Sequence, residues 1–189
     1  SPPSILAEML TAAIGAQCMS WNTSPAATEL EQVMMEWLRG MLGLPDLFTG
    51  VIQDTASTAT LVALITARDA AVRQCGSAAV RQVNRLTVYT SEEANSSVPK
   101  GARLAGYSPD NIRLIDTDDN AAMSLTALRE AVARDRAAGL LPACIVATVG
   151  TTGSTAIDPV PAIAELCREQ NIWLHVDAAF AGSAAILPE

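Results

Sequence analysis

Four runs of this chain, RLTVYTS, NIRLIDT, ACIVATVG and IWLHVDAA, are short, apolar almost throughout and rich in Val and Ile. Strands covered on both faces read in this way, whereas strands with one wet face alternate. Helical patterns over residues 93–105, 125–138 and 160–169 separate the four runs. A strand that must find its parallel neighbour through an intervening helix does so by a right-handed crossover, so the pattern predicts an α/β fold, a mostly parallel sheet flanked by helices.

Upstream of these runs the spacing changes. Residues 4–16 are amphipathic at helical period, and TSPAATELEQVMMEWLRGMLGL predicts a second helix with Thr28 and Glu31 as a capping box and Gly43 as its stop. PDLFTG reads as a turn or loop, and VIQDTAS as a short strand entering an Ala-rich helix that closes at Cys75-Gly76. The expected organisation is a helical segment over 1–45 followed by a layered α/β domain over 46–189. Both ends of the chain read as cut, because the last strand runs off into an apolar stretch.

Composition narrows the partners. Half of the residues are hydrophobic, 17% are charged and the formal net charge is −8, with no block of Lys or Arg. That balance excludes a nucleic-acid backbone as the expected partner. Four dispersed cysteines, with no CxxC and a single histidine, suggest neither a metal site nor a disulfide framework and point to a reducing, cytoplasmic setting. No uncharged stretch of about 18 residues reads as one that could span a bilayer, so no membrane span is expected.

Ligands of open parallel sheets bind beyond the carboxyl ends of the strands. Four loops therefore come under suspicion together: 54–58, 89–97, 149–152 and 177–182. In the first, Thr55, Ala56 and Ser57 open a long helix; they hold a phosphate at its N-terminus or simply cap it. In the third, Thr151 and Thr152 either present hydroxyls to a ligand or belong to an ordinary turn between Gly150 and Gly153. The fourth carries the most demanding residue. Asp177 ends a buried strand, where an unpaired carboxylate is costly. Three readings suit it: a turn cap, a magnesium ligand, or the partner of a protonated pyridine nitrogen, with Ala178 and Ala179 leaving room for a flat ring. His175, on the same strand face, reads as a satisfied core residue.

Five segments in order, WNTSPAATELE, IQDTASTATLVAL, TSEEANSSVPKGA, ATVGTTGSTAID and IWLHVDAAFAGSA, resemble the group II pyridoxal-phosphate-dependent decarboxylases, most closely the aromatic L-amino-acid decarboxylase branch. The resemblance implies the large domain of the PLP-dependent transferase fold type I, truncated before the Schiff-base lysine, with 46–189 as its partial cofactor-binding domain. It implies pyridoxal 5'-phosphate as cofactor and decarboxylation of an aromatic amino acid to an amine. By position, Asp177 would pair with the ring nitrogen and Ala179 would pack on the ring. Thr55, Ala56 and Ser57 would take the phosphate, and Thr152 would lie beside the cofactor. Trp21 and Pro25 fall in the segment that approaches the substrate pocket in the family; Trp21 reads equally as a core residue.

Departures from the family pattern qualify that expectation. Asn95 stands where the family usually has a His that stacks on the cofactor and assists catalysis, and an amide is neither aromatic nor an acid or base near neutral pH. An Asn there resembles the aromatic acetaldehyde synthases, which couple decarboxylation to oxidative deamination. Asp54 and Thr58 replace the usual Gly and Glu of the phosphate loop. Lys100 is the only lysine in the sequence and reads as a solvated charge. The resemblance implies a homodimer for the whole, or a pairing with a companion chain that carries the lysine, and a noncatalytic homologue acting as a dimer partner is the alternative. A nucleotide-dependent enzyme is not supported, since neither GxxxxGK[ST] nor GxGxxG occurs.

Overall fold

The computed structural model describes residues 1–74 and 83–187. The expected helix stop at Cys75-Gly76 lies outside the described residues. Two compact units divide the chain: Ser1–Ile52 with Ala185–Glu189, and Gln53–Ala184.

In the first unit, α1 (Pro2–Ile14) and α2 (Pro25–Met41) form where the helical periods lie. The capping box at Thr28 and Glu31 does not form. Pro25, whose fixed φ suits the first helical position, starts α2 earlier, with Ser24 as the N-cap residue. Thr28 therefore lies inside the helix and donates its hydroxyl to the Ser24 carbonyl, while Glu31 Oε1 accepts the Ile52 N–H at 2.7 Å. Gly43 does stop the helix. It adopts φ +65°, its N–H bonds to the Gly40 carbonyl, and Leu44 N–H bonds to the Arg39 carbonyl.

The second unit holds a four-stranded parallel sheet in the order β2-β1-β3-β4. Its strands are β1 (Leu86–Ser91), β2 (Ile112–Ile115), β3 (Leu141–Thr148) and β4 (Trp173–Asp177). These are the four apolar runs of the sequence. VIQDTAS forms no strand: Val51 and Ile52 are exposed, and without a neighbouring edge to pair with an apolar run gains nothing from extension.

Helices α3 (Ala56–Gln74) and α4 (Ser97–Leu104) cover one face, and α5 (Leu125–Ala137) and α6 (Val160–Gln170) the other. The split is visible along β3 alone. Cys144 and Val146 pack with Leu64 and Ala67 of α3, whereas Ile145 and Ala147 pack with Leu128 of α5 and Ile163 of α6. Alternation along the strand thus feeds two cores. Each fully buried Leu or Ile contributes about 1.5–3 kcal/mol to its layer. α5 is fastened further by Asp135, which accepts Tyr89 Oη at 2.8 Å and pairs with Arg113 at 2.8 Å.

Strand order decides where a ligand can bind. From β1 the chain steps to β2 on one side and then crosses back to β3 on the other, so the loops after β1 and β3 diverge and leave a crevice at the carboxyl end.

Candidate active site

At that crevice lies a cavity of about 170 Å³ lined by Ala56, Ser57, Asn95, Ser97, Thr148, Gly150, Thr152, Asp177, Ala179 and Phe180. Each of the four suspected loops contributes. β4 delivers Asp177 to the wall with only 9% of its surface exposed. Its carboxylate accepts one hydrogen bond, from Ala179 N–H to Oδ1 at 3.1 Å, and no Lys, Arg or His pairs with it among the described residues. His175, two residues back on the same face, is pushed below its ordinary pKa by burial, against the opposing pull of Asp177. The ring is neutral near pH 7 and leaves the carboxylate uncompensated.

Helix α3 supplies another wall. Thr55 acts as its cap: Thr58 N–H donates to Thr55 Oγ1 at 3.1 Å, and Thr55 is not among the residues lining the cavity. Ala56 and Ser57 do line it, and as the first residues of the helix their N–H groups have no intrahelical acceptor. Asp54 is exposed and lies outside the lining.

The turn after β3 sorts its two threonines. Thr151 is buried and spends its hydroxyl on its own turn, with Ser154 Oγ at 2.7 Å and Ala156 N–H at 3.0 Å. Thr152 faces the cavity and accepts Asn95 Nδ2 at 3.1 Å, while Asn95 Oδ1 accepts Ser97 N–H at 2.9 Å. Asn95 and Thr152 are 57 residues apart in sequence and are joined only by the fold. Gly150 has φ +86°, and a Cβ on it would lie 2.7 Å from Ala181 Cβ and 2.9 Å from Phe180 Cδ1. Only glycine permits the loop after β4 to close so tightly on the loop after β3.

Lys100 is exposed, donates to Ser96 Oγ and does not line the cavity. Trp21, 52% exposed, and Pro25, the first residue of α2, belong to the other unit; Trp21 is not a core residue there.

Residues 1–189, the whole chain, match the pyridoxal-dependent decarboxylase conserved domain. The chain belongs to the pyridoxal-dependent decarboxylase family. Among relatives of this family, phenylacetaldehyde synthase of Arabidopsis thaliana is 46% identical over 97% of this chain and 39% of its own length. Aromatic-L-amino-acid decarboxylase of Mus musculus is 45% identical over 100% and 42%. The crystal structure of Catharanthus roseus tryptophan decarboxylase in complex with L-tryptophan superposes with a TM-score of 0.94 at 42% identity, covering 100% of this chain and 41% of that one. The chain thus spans about two fifths of the length of the relatives it matches.

The donor set fits the cofactor of the family. A helix N-terminus with free N–H groups suits a phosphate, an uncompensated carboxylate suits a protonated pyridine, and Ala179 leaves the wall flat. Among the described residues no group of three or more His, Cys, Asp or Glu is placed to hold a metal ion, and no helix is long and apolar enough to cross a membrane.

Two residues of this region escaped the sequence reading. Asp158 stands before Pro159 at the head of α6, where an Asp looks like a helix cap. It reaches backward instead, accepting Met123 N–H at Oδ1 and Thr148 N–H at Oδ2, both at 2.7 Å. Thr148 itself lay inside an apolar run and carried no signal.

Proposed function

We propose that this chain is the cofactor-binding part of an enzyme that decarboxylates an aromatic L-amino acid to its amine and carbon dioxide with pyridoxal 5'-phosphate. A longer chain, or a companion chain bearing the tethering lysine, completes it in a cytoplasmic homodimer. The observation that carries this reading is Asp177: a buried carboxylate without a cationic partner among the described residues, in a cavity that also receives the start of a long helix.

Bound there, pyridoxal phosphate supplies an electron sink for the carbanion left by loss of carbon dioxide. The chain's own residues hold it. Asp177 keeps a proton on the ring nitrogen, because an ionised partner within contact favours the charged form of a pyridine. The Ala56 and Ser57 amides receive the phosphate in the positive end of α3. Thr55 contributes through its cap. Ala179 would pack against the ring, and Thr152, whose hydroxyl accepts Asn95 Nδ2, would lie beside it. Asn95 moves no proton, so the proton that ends on the product carbon comes from another group.

The test uses the full-length protein. Titration with pyridoxal phosphate should give saturable binding followed by absorbance. With L-tryptophan, L-phenylalanine or L-DOPA, amine and carbon dioxide should then form in equal amounts. Aldehyde and peroxide in place of amine would refute simple decarboxylation, and absence of cofactor binding would refute the reading as a whole.

A further inference from the structure

Three buried side-chain polar atoms lack a hydrogen-bond partner among the described residues: Thr90 Oγ1, Thr148 Oγ1 and His175 Nε2. They share one face of the sheet. Alternation puts Thr90 with Val88, and Thr148 with Val146 and Cys144, on the side that packs against α3. Register places Thr90 and His175 on either side of Val146, and Thr148 directly beside Asp177. Adjacent strands are about 4.8 Å apart, so Thr148 and Asp177 are side-by-side neighbours on one face. Of the three, only Thr148 lines the cavity.

A buried hydroxyl without a partner is rare, because it forfeits its bond to water and gains none in return. Thr148 is also tightly held. Its N–H donates to Asp158 Oδ2 at 2.7 Å and its carbonyl accepts Asp158 N–H at 2.9 Å, so the backbone cannot swing to find a partner for the side chain. Only 4% of the residue is exposed. The neighbouring carboxylate, meanwhile, has one donor and room for another.

We propose that Thr148 is a positioning residue for Asp177: its hydroxyl donates to the Asp177 carboxylate when that carboxylate engages the protonated ring nitrogen of pyridoxal phosphate. The inference rests on the cofactor reading given above. Donation to a carboxylate favours its ionised form, and the ionised form is the one that keeps the proton on the ring. The same bond fixes the side-chain torsion of Asp177 against a backbone locked by Asp158. The unpartnered Thr148 hydroxyl is thus a donor held in place beside Asp177.

Thr148→Val and Thr148→Ser in the full-length protein test this, with cofactor affinity measured by absorbance titration and ligand-free stability by thermal melting. Thr148→Val removes the hydroxyl at nearly constant shape. It should bind pyridoxal phosphate about tenfold more weakly, equivalent to about 1.4 kcal/mol. Its ligand-free melting temperature should stay level or rise, because an unsatisfied buried group has gone. Thr148→Ser, which keeps the donor, should bind within about twofold of wild type. A packing role predicts otherwise: affinity and melting temperature fall together and Ser does not rescue, which would overturn the proposal. Unchanged affinity in Thr148→Val would overturn it while leaving the cofactor reading intact. Failure of the wild type to bind would overturn both.

Discussion

Asp158→Asn is the sharpest single perturbation of this fold. The carboxylate serves two elements at once, the segment before α5 through Met123 N–H and the end of β3 through Thr148 N–H, one oxygen each at 2.7 Å. Asn keeps the shape but only one acceptor, so one amide loses its partner and faces an NH2 group. A buried donor left unsatisfied costs about 1–3 kcal/mol. The surviving bond changes from charge-assisted to neutral, which costs about 1 kcal/mol more. The sum is about 2–4 kcal/mol, against a total of about 5–15 kcal/mol for a typical domain. Urea unfolding followed by circular dichroism should show the midpoint falling with an unchanged slope. A loss below about 0.5 kcal/mol would refute the reasoning, since it would mean that the two amides find other acceptors as good.

Two further outcomes follow from the same region. Gly150→Ala places a methyl 2.7 Å from Ala181 Cβ at a backbone with φ +86°; it should cost about 1–3 kcal/mol of stability and weaken pyridoxal-phosphate binding at least several-fold, by forcing the loops after β3 and β4 apart. Melting and titration together check this, and normal affinity would refute it. His175 titrates below its ordinary value of about 6.5 because burial disfavours its charge. The unfolded chain therefore binds that proton first as pH falls, so the stability that His175 permits is intact above about pH 6.5 and declines below it. Melting temperatures from pH 7.5 to 5.5 should fall more steeply for wild type than for His175→Gln, and parallel curves would refute the assignment.

The sheet was legible because its signal is local. RLTVYTS, NIRLIDT, ACIVATVG and IWLHVDAA each carry enough apolar β-formers to announce a strand, and the intervening periods announce helices that must cross over. Burial on both faces holds for the inner strands β1 and β3, whereas the outer strands β2 and β4 leave Leu114, Trp173 and Val176 exposed. VIQDTAS carries a similar pattern and fails, since a strand exists only where an edge receives it, and propensity does not say which runs find an edge. The capping box failed for a related reason: Thr28 and Glu31 have the right spacing, but Pro25 sets the helix start before them.

Of the site, the sequence by itself determined the carboxylate. A charge at the end of a run as apolar as IWLHVDAA is costly wherever the strand lies, so Asp177 required explanation before any fold was known. The tertiary structure decided the rest. Thr55 and Thr151 turned inward to their own backbone, whereas Ser57 and Thr152 line the cavity. Residues with the same chemistry took different parts because which hydroxyl closes its own turn depends on the local backbone path. Asp158 and Thr148 lie beyond any such rule. Their roles come from contacts 10 and 35 residues away and from a strand register that sets a threonine beside Asp177, and register is a property of pairing that no single strand contains.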